Sequence, residues 1–156
     1  MTGQGQYLVV LQFLLMAVFM VTPVYQCNLN QTLFENTATF RWSLLCISWA
    51  IALLLGGLGS YHIRTFLTPL PYPVEHNQLV TTGVYSLVRH PLYSSQLFAA
   101  SGWTLFSMSL SHLLLTLLAL LFFTFKASRE ERWLTERHSE YTAYARKVKK
   151  FIPWLF

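Results

Sequence analysis

The chain contains no Asp and only six acidic residues, all Glu, against eleven Lys and Arg, so its formal net charge is +5. Charged residues make up 11% of the 156 positions, well short of the roughly 25% of a soluble domain. With 54% hydrophobic residues and a mean hydropathy of +0.42, this composition excludes an ordinary soluble globule and puts the chain in the membrane class. Its two Cys, Cys27 and Cys46, form no Cys-x-x-Cys pair and no disulfide framework, and they should lie at different depths. The five His fall at 62, 76, 90, 112 and 138, and none are three or four apart. This argues against the His clusters of a membrane di-iron oxygenase and against a His-x-x-x-His zinc site, so no metal is expected. There is no Gly-rich phosphate loop and no Gly-x-Ser-x-Gly, which argues against a soluble Rossmann cofactor site. The period-2 alternation of a membrane β-barrel is absent, as are internal repeats.

What is present is four apolar segments, at about 7–25, 42–60, 92–110 and 112–126. Their lengths suit membrane-crossing helices, and in lipid the backbone must satisfy its own polar groups. The expected fold class is therefore all-α: a polytopic membrane bundle with four transmembrane helices and a C-terminal cytoplasmic amphipathic helix. The third and fourth helices should form a tight hairpin, because Ser107–His112 is the only turn between them. The first segment lacks a basic leader and a small-residue cleavage site, and reads as a retained span. Asn30-Gln31-Thr32 matches a glycosylation sequon, which chance explains. Two small-residue clusters, Gly56 to Ser60 and Ala99 to Gly102, suit close packing of helices.

Eight of the eleven Lys and Arg lie at or after Lys126. A basic tail beside a membrane faces the cytoplasm and anionic lipid, so membrane lipids rather than nucleic acid are its expected partners. Four spans would then put both termini and the loop from Tyr61 to His90 on the cytoplasmic side. Between Lys126 and Tyr144 there are few helix breakers, and Trp133, Leu134, Tyr141 and Tyr144 could share a face.

Two polar stretches border the apolar segments. One is Gly83 to Tyr93, which holds Arg89-His90-Pro91. Pro suits the first turn of a helix and pushes the preceding residue out of the α region, so the third helix should start at Pro91 or Leu92. The free N–H groups of that turn would attract an anion. Arg89 and His90 could equally serve only as a lipid-phosphate contact and a helix cap. The other stretch holds Lys126, Arg129, Glu130 and Glu131 just beyond the fourth segment. Lys126 and Glu130 share a helix face. An acidic pair at a membrane edge calls for cationic partners or a cationic ligand, though a solvated charge network is the plainer alternative.

Leu79-Val80-Thr81-Thr82-Gly83-Val84-Tyr85-Ser86-Leu87-Val88-Arg89-His90-Pro91-Leu92-Tyr93 resembles the signature of isoprenylcysteine carboxyl methyltransferases. Arg129-Glu130-Glu131-Arg132-Trp133-Leu134, followed by Glu140-Tyr141, Tyr144, Val148 and Ile152-Pro153, resembles their C-terminal signature. Phospholipid methyltransferases of the same superfamily share much of this pattern. The resemblance covers roughly residues 75–156, and the first two segments match only in character.

The resemblance implies a single integral membrane methyltransferase domain over 1–156 that binds S-adenosylmethionine at the cytoplasmic edge of the bundle, in segments about 77–93 and 126–153. The matching cofactor positions are Asn77, Gln78, Leu79, Val80, Tyr85, His90, Pro91, Leu92, Tyr93 and Glu130. Arg89, Lys126 and Glu130 are the catalytic or electrostatic candidates. Lys126 stands where the family usually has Arg, which keeps the charge but loses a bidentate grip on carboxylate. The implied substrate is lipophilic or prenylated, entering from the bilayer, with carboxyl O-methylation of an isoprenylcysteine-like group as the expected reaction. The alternatives are a nicotinamide-dependent C=C reductase of the same superfamily and a non-catalytic membrane scaffold. Methyl acceptor and oligomeric state are not encoded legibly.

Overall fold

The computed structural model describes residues 3–26, 31–64 and 79–156. Cys27, His76, Asn77, Gln78 and the sequon's Asn30 lie outside the described residues. Those described form six α-helices: α1 (Gly3–Val21), α2 (Gln31–Asn36), α3 (Ala38–Ile63), α4 (Pro91–Ser107), α5 (Leu110–Arg137) and α6 (Tyr141–Lys147). A 3₁₀ turn, Gly83–Ser86, precedes α4. Among the described residues the only extended pairing is one parallel bridge, Val88 to Lys149. The all-helical expectation holds. By length and composition, α3 and α5 are the helices able to cross a membrane, and Gln6–Val21 is a shorter apolar helix. Their outer faces are apolar: Leu53 on α3 and Leu121 on α5 are 76% and 69% exposed, as lipid-solvated side chains would be.

Helices α3 and α4 make the closest contact in the bundle. A Cβ at Gly102 would come within 2.7 Å of Ser48 Cβ, so only Gly allows this approach. The Trp49 indole donates across the same seam to Ala99 O at 3.3 Å. At its start α4 has Pro91 in the first turn, and His90 at φ −125°, ψ 65° sits outside the α region, both as the sequence predicts.

The hairpin is tighter than the sequence suggests. Helix α4 stops at Ser107, Met108 takes the left-handed conformation at φ 48°, and Ser109 caps α5 by accepting from His112 N–H. Thr104 and Thr116 hydroxyls, 2.8 Å apart, join the two arms. The tail also differs from expectation. Lys126 does not open a separate helix, because α5 runs unbroken to Arg137. No Gly or Pro interrupts Leu110 to Arg137, so nothing stops the helix where hydrophobicity ends. At 28 residues α5 is about 42 Å long, which exceeds a hydrocarbon core of about 30 Å. Its last turns therefore project beyond the apolar layer. The chain breaks at His138 (φ −122°, ψ 107°), and α6 is a separate seven-residue helix.

The end of the bundle near Phe106 is closed by Arg41. Its guanidinium donates to Phe106 O and Phe34 O and lies over the Phe34 ring. The opposite end carries the polar stretches. There Phe151, from the segment after α6, is buried with Ala119, Phe123 and Ala127 of α5. The bridge at Lys149 and two backbone bonds, Arg89 N–H to Lys149 O (2.8 Å) and His90 N–H to Lys150 O (3.1 Å), tie this segment to the entry of α4.

Candidate functional site

The site forms where the first turn of α4 meets the projecting end of α5. Tyr93, in the first turn of α4, stacks on Phe123 at a centroid distance of 5.0 Å, which holds its ring against α5. Its hydroxyl donates to Glu130 Oε1 at 2.5 Å. The His90 ring stacks on Tyr93 and brings Nδ1 within 3.7 Å of Glu130 Oε2. His90, Tyr93 and Glu130 are thus one group. Glu130 is the accessible member, with 42% of its side chain exposed.

Glu131, its neighbour, is inward and fully engaged. Its carboxylate meets Arg89 Nε at 3.0 Å, His90 Nε2 at 2.9 Å and Lys150 Nζ at 3.3 Å. Arg89 also donates from one terminal nitrogen to Ala145 O and Val148 O, each at 2.6 Å. Its fork is therefore spent on binding α6 and the segment after it to α5. Sequence reasoning gave Arg89 a substrate or electrostatic role; its contacts here are an ion pair with Glu131 and two backbone carbonyls, and Glu131 is the hub that the sequence did not single out.

Lys126 lies one turn before Glu130 and is buried. Its ammonium is 5.0 Å from the Tyr93 ring centroid and donates to Gln12 Oε1 at 2.6 Å. Gln12 passes the chain on, donating to Gln96 Oε1 at 3.1 Å, and Gln96 donates to Leu92 O. Three helices, α5, α1 and α4, are joined by this polar string. Gln12 was not among the predicted site residues. A lone amide inside an apolar run was the available signal, since polar groups at membrane depth are costly unless used.

The 3₁₀ turn supplies Tyr85. Val84 and Val88 pack on Leu55 of α3, with Tyr85 beside them. Gly83 has φ +62°, and a Cβ there would run into the His62 ring. Tyr85 O accepts from Tyr144 of α6 at 2.5 Å. Burial first, then the nearby Tyr144 and Glu130, push the Tyr85 hydroxyl above its ordinary range. Burial raises Tyr144 to about 12, opposed by Arg89 and assisted by Glu131. Both phenols are therefore neutral donors at physiological pH. Leu79 and Val80 are half-buried at the edge of this region. Pro91 is buried and Leu92 half-buried in the first turn of α4. Of that turn's donors, Pro91 has none, and Tyr93 and Ser94 N–H both go to His90 O. The expected anion-binding helix start is thus mostly satisfied internally.

On the bilayer side of Lys126 a cavity of about 490 Å³ opens between α1, α3, α4 and α5. Gln12 and Gln96 line it at one end and His112 at the other, with Met16, Ala100 and Leu115 among the apolar walls between. A polar group with one exposed carboxylate thus stands next to a greasy cavity, with one buried cation between them. Such an arrangement can hold a cationic ligand at Glu130 and a lipophilic ligand in the cavity. Among the described residues no cluster of His, Cys, Asp or Glu could hold a metal ion.

Residues 38–141 match the phospholipid methyltransferase family, from the start of α3 to the first residue of α6. The chain belongs to that family. Individual relatives match in part. The protein-S-isoprenylcysteine O-methyltransferase of Saccharomyces cerevisiae is 30% identical over 146 residues, which covers 85% of this chain and 60% of that protein. The protein-S-isoprenylcysteine O-methyltransferase B of Arabidopsis thaliana is 31% identical over 83 residues, 52% of this chain and 42% of its own. The cobalt-zinc-cadmium resistance protein CzcN of Cupriavidus metallidurans is 37% identical over 82 residues, 52% of this chain and 38% of its own. The chain thus spans between about two fifths and three fifths of these relatives. Family membership adds to the apolar outer faces of α3 and α5 and makes this a membrane protein. The family match begins at 38, so Gln12 and all of α1 lie outside it.

Proposed function

We propose that this chain is an integral membrane methyltransferase that uses S-adenosylmethionine on a lipophilic acceptor at the cytoplasmic edge of a four-span bundle. Both termini lie on the cytoplasmic side in this reading, in keeping with the basic tail. The observation that carries it is the adjacency of three parts: the exposed Glu130 carboxylate held by Tyr93, the buried Lys126 ammonium, and the apolar cavity beyond it. Membership of a methyltransferase family supports the same reaction class.

The residues fit the cofactor's chemistry. Glu130 is the one carboxylate of the cluster with exposed surface, and it would pair with the cofactor's ammonium. Tyr93 and His90 hold that carboxylate in place, while Glu131 is already neutralised by its own partners. Tyr85, Leu79, Val80, Asn77 and Gln78 would complete the cofactor side. When bound, S-adenosylmethionine supplies a methyl group already activated on sulfonium, so the protein has chiefly to position and to exclude water. Lys126 would receive an anionic oxygen of the acceptor, displacing Gln12 from its ammonium. A carboxylate acceptor is ionised at neutral pH and needs no general base. Carboxyl O-methylation of an isoprenylcysteine-like group is the finer form of this proposal. The names of the yeast and Arabidopsis relatives favour it.

Calorimetry in detergent tests the cofactor directly. S-adenosylhomocysteine should bind with micromolar or tighter affinity, and a reduced nicotinamide cofactor should not. Binding of the nicotinamide alone would reverse the assignment to a reductase. Labelled-methyl transfer to a panel of prenylcysteine analogues, phospholipids and small amphiphiles then names the acceptor.

A further inference from the structure

The wall of the cavity farthest from Lys126 is not wholly apolar. His112, in the first turn of α5, lines it and is only 2% exposed. Its ring is fixed from three sides. Phe19 of α1 meets it edge-on at 4.8 Å, Trp103 of α4 lies at 6.2 Å, and Ser109 Oγ is 2.8 Å from Nδ1. The tautomer follows from the serine. Ser109 Oγ accepts from His112 N–H at 3.3 Å and shares the Tyr25 N–H with Ser111 Oγ, at 3.3 and 3.4 Å, so it is better placed to donate than to accept a third time. Its single proton is left to donate, with two acceptors in reach, His112 Nδ1 at 2.8 Å and Ser111 Oγ at 2.9 Å. Ser111 can dispense with it, because its own hydroxyl is anchored by donation to Pro23 O at 2.8 Å. A proton on Nδ1 instead would be a third claim on Ser109 Oγ. We assign Nδ1 as the acceptor on that ground, which puts the ring proton on Nε2.

Among the described residues, no group pairs with Nε2–H. His112 lines the cavity, and a cavity wall is where a ligand can supply the acceptor for such an N–H. The cavity's size, about 490 Å³, falls in the range of sites that enclose one drug-sized molecule, roughly 300–1,000 Å³, and a two-chain lipid exceeds it.

We propose that this cavity binds a single-chain lipophile that carries a hydrogen-bond-accepting oxygen at its far end, and that His112 Nε2–H reads that oxygen. The head of the chain lies at Gln12 and Gln96, and its apolar body runs past Met16, Ala100 and Leu115. His112 thereby acts as a ruler as well as a donor, since a chain too short or too long misplaces its oxygen. Taking this ligand as the methyl acceptor rests on the function proposed above. Its binding does not.

The test is binding without cofactor, to the full chain in nanodiscs, measured by calorimetry. The probes are dodecanoic acid and its 12-hydroxy derivative, with shorter and longer homologous pairs. Each affinity is corrected for partition into empty nanodiscs. The hydroxylated probe should bind about tenfold more tightly than its plain partner at one chain length, and the preference should fade on either side of it. His112→Phe should retain plain-chain binding and lose the preference. His112→Gln, which returns an N–H donor at similar reach, should recover part of it. Should the Phe variant fail to fold, the ¹⁵N shift of His112 Nε2 in the wild-type chain gives the same answer. It should move with the hydroxylated probe and stay still with the plain one. Equal affinity of the two probes in the wild type at every length would overturn the proposal, as would a preference that survives in His112→Phe or a failure of both to bind. Methyl transfer is not read in this assay. Binding of the hydroxylated chain together with no labelled product from any acceptor of the panel above would count against the methyltransferase reading and leave the cavity assignment standing.

Discussion

Glu130 and Glu131 are consecutive on α5 and have opposite fates: Glu130 accepts one hydroxyl, from Tyr93, and stays 42% exposed, while Glu131 is ringed by Arg89, His90 and Lys150. Successive helical positions point about 100° apart, so one carboxylate faces outward and the other the protein. The two should therefore separate cleanly by mutation.

Glu130→Gln should weaken S-adenosylhomocysteine binding by about tenfold to a hundredfold, the worth of one charge-assisted hydrogen bond. The thermal midpoint should change little, because the side chain is partly exposed and the amide oxygen of Gln still accepts from Tyr93. Calorimetry and a melting curve on the same sample check both halves. An affinity equal to wild type would take Glu130 out of the site.

Glu131→Gln should do the reverse to stability. It leaves Arg89 and Lys150, both largely buried, without their counter-charge. Loss of one partner of a buried pair costs about 3 kcal/mol. The melting midpoint in detergent should fall by several degrees. Arg89→Lys should fail to preserve stability, because a single ammonium cannot serve Glu131, Ala145 O and Val148 O at once.

Lys126→Met should raise KM for an anionic acceptor while leaving cofactor affinity near wild type. The apolar replacement keeps the packing of a buried stem and removes only the ammonium. Lys126→Arg should retain acceptor binding. Steady-state kinetics with the acceptor identified by the transfer screen would separate the two parameters, and an unchanged KM in Lys126→Met would dismiss the role.

Gly83→Ala should destabilise by at least about 1–2 kcal/mol from its left-handed backbone alone. The added methyl also meets His62. Combining it with His62→Ala should recover the collision and not the backbone part. A double variant no better than the single one would show that the His62 ring moves aside freely.

Stability should fall as pH rises from about 10 toward 12. Tyr144 is held protonated by burial, up to about 12, and its hydroxyl bonds Tyr85 O. The unfolded chain ionises its Tyr near 10 and so loses protons first. The contribution is complete below the unfolded pKa and disappears as pH passes the folded one. Tyr144→Phe should lessen that decline, leaving the share of the other buried tyrosines such as Tyr85, and cost about 1 kcal/mol at neutral pH. Melting midpoints across alkaline buffers provide the check.

Much of this was readable beforehand, for local reasons. Pro91 and His90 declare a helix start through backbone sterics, and the structure has it there. The hairpin at Ser107 to His112 was the one polar break in a long apolar run. The continuity of α5 was harder to read, because hydrophobicity changes at Lys126 while helix propensity does not, and only the second governs where a helix ends. Glu130 and Glu131 look alike in a sequence, and which of them turns inward depends on the rotation of α5 against α4. Arg89 resembled a ligand contact because its acceptors, Ala145 O and Val148 O, are backbone atoms more than fifty residues away. Gln12 was visible as an isolated amide but has no meaning until α1 is docked on α5.

The bridge between Val88 and Lys149 has a consequence for biogenesis. Its two sides are separated by nearly the whole second half of the chain. During translation α3, α4 and most of α5 are made while Arg89 and Glu131 still lack Lys150 and the carbonyls of 145 and 148. The latch at Arg89 and Glu131 therefore closes only after residues 145–150 have been made, and a chain cut short before them lacks the contacts that tie the end of α5 to the entry of α4.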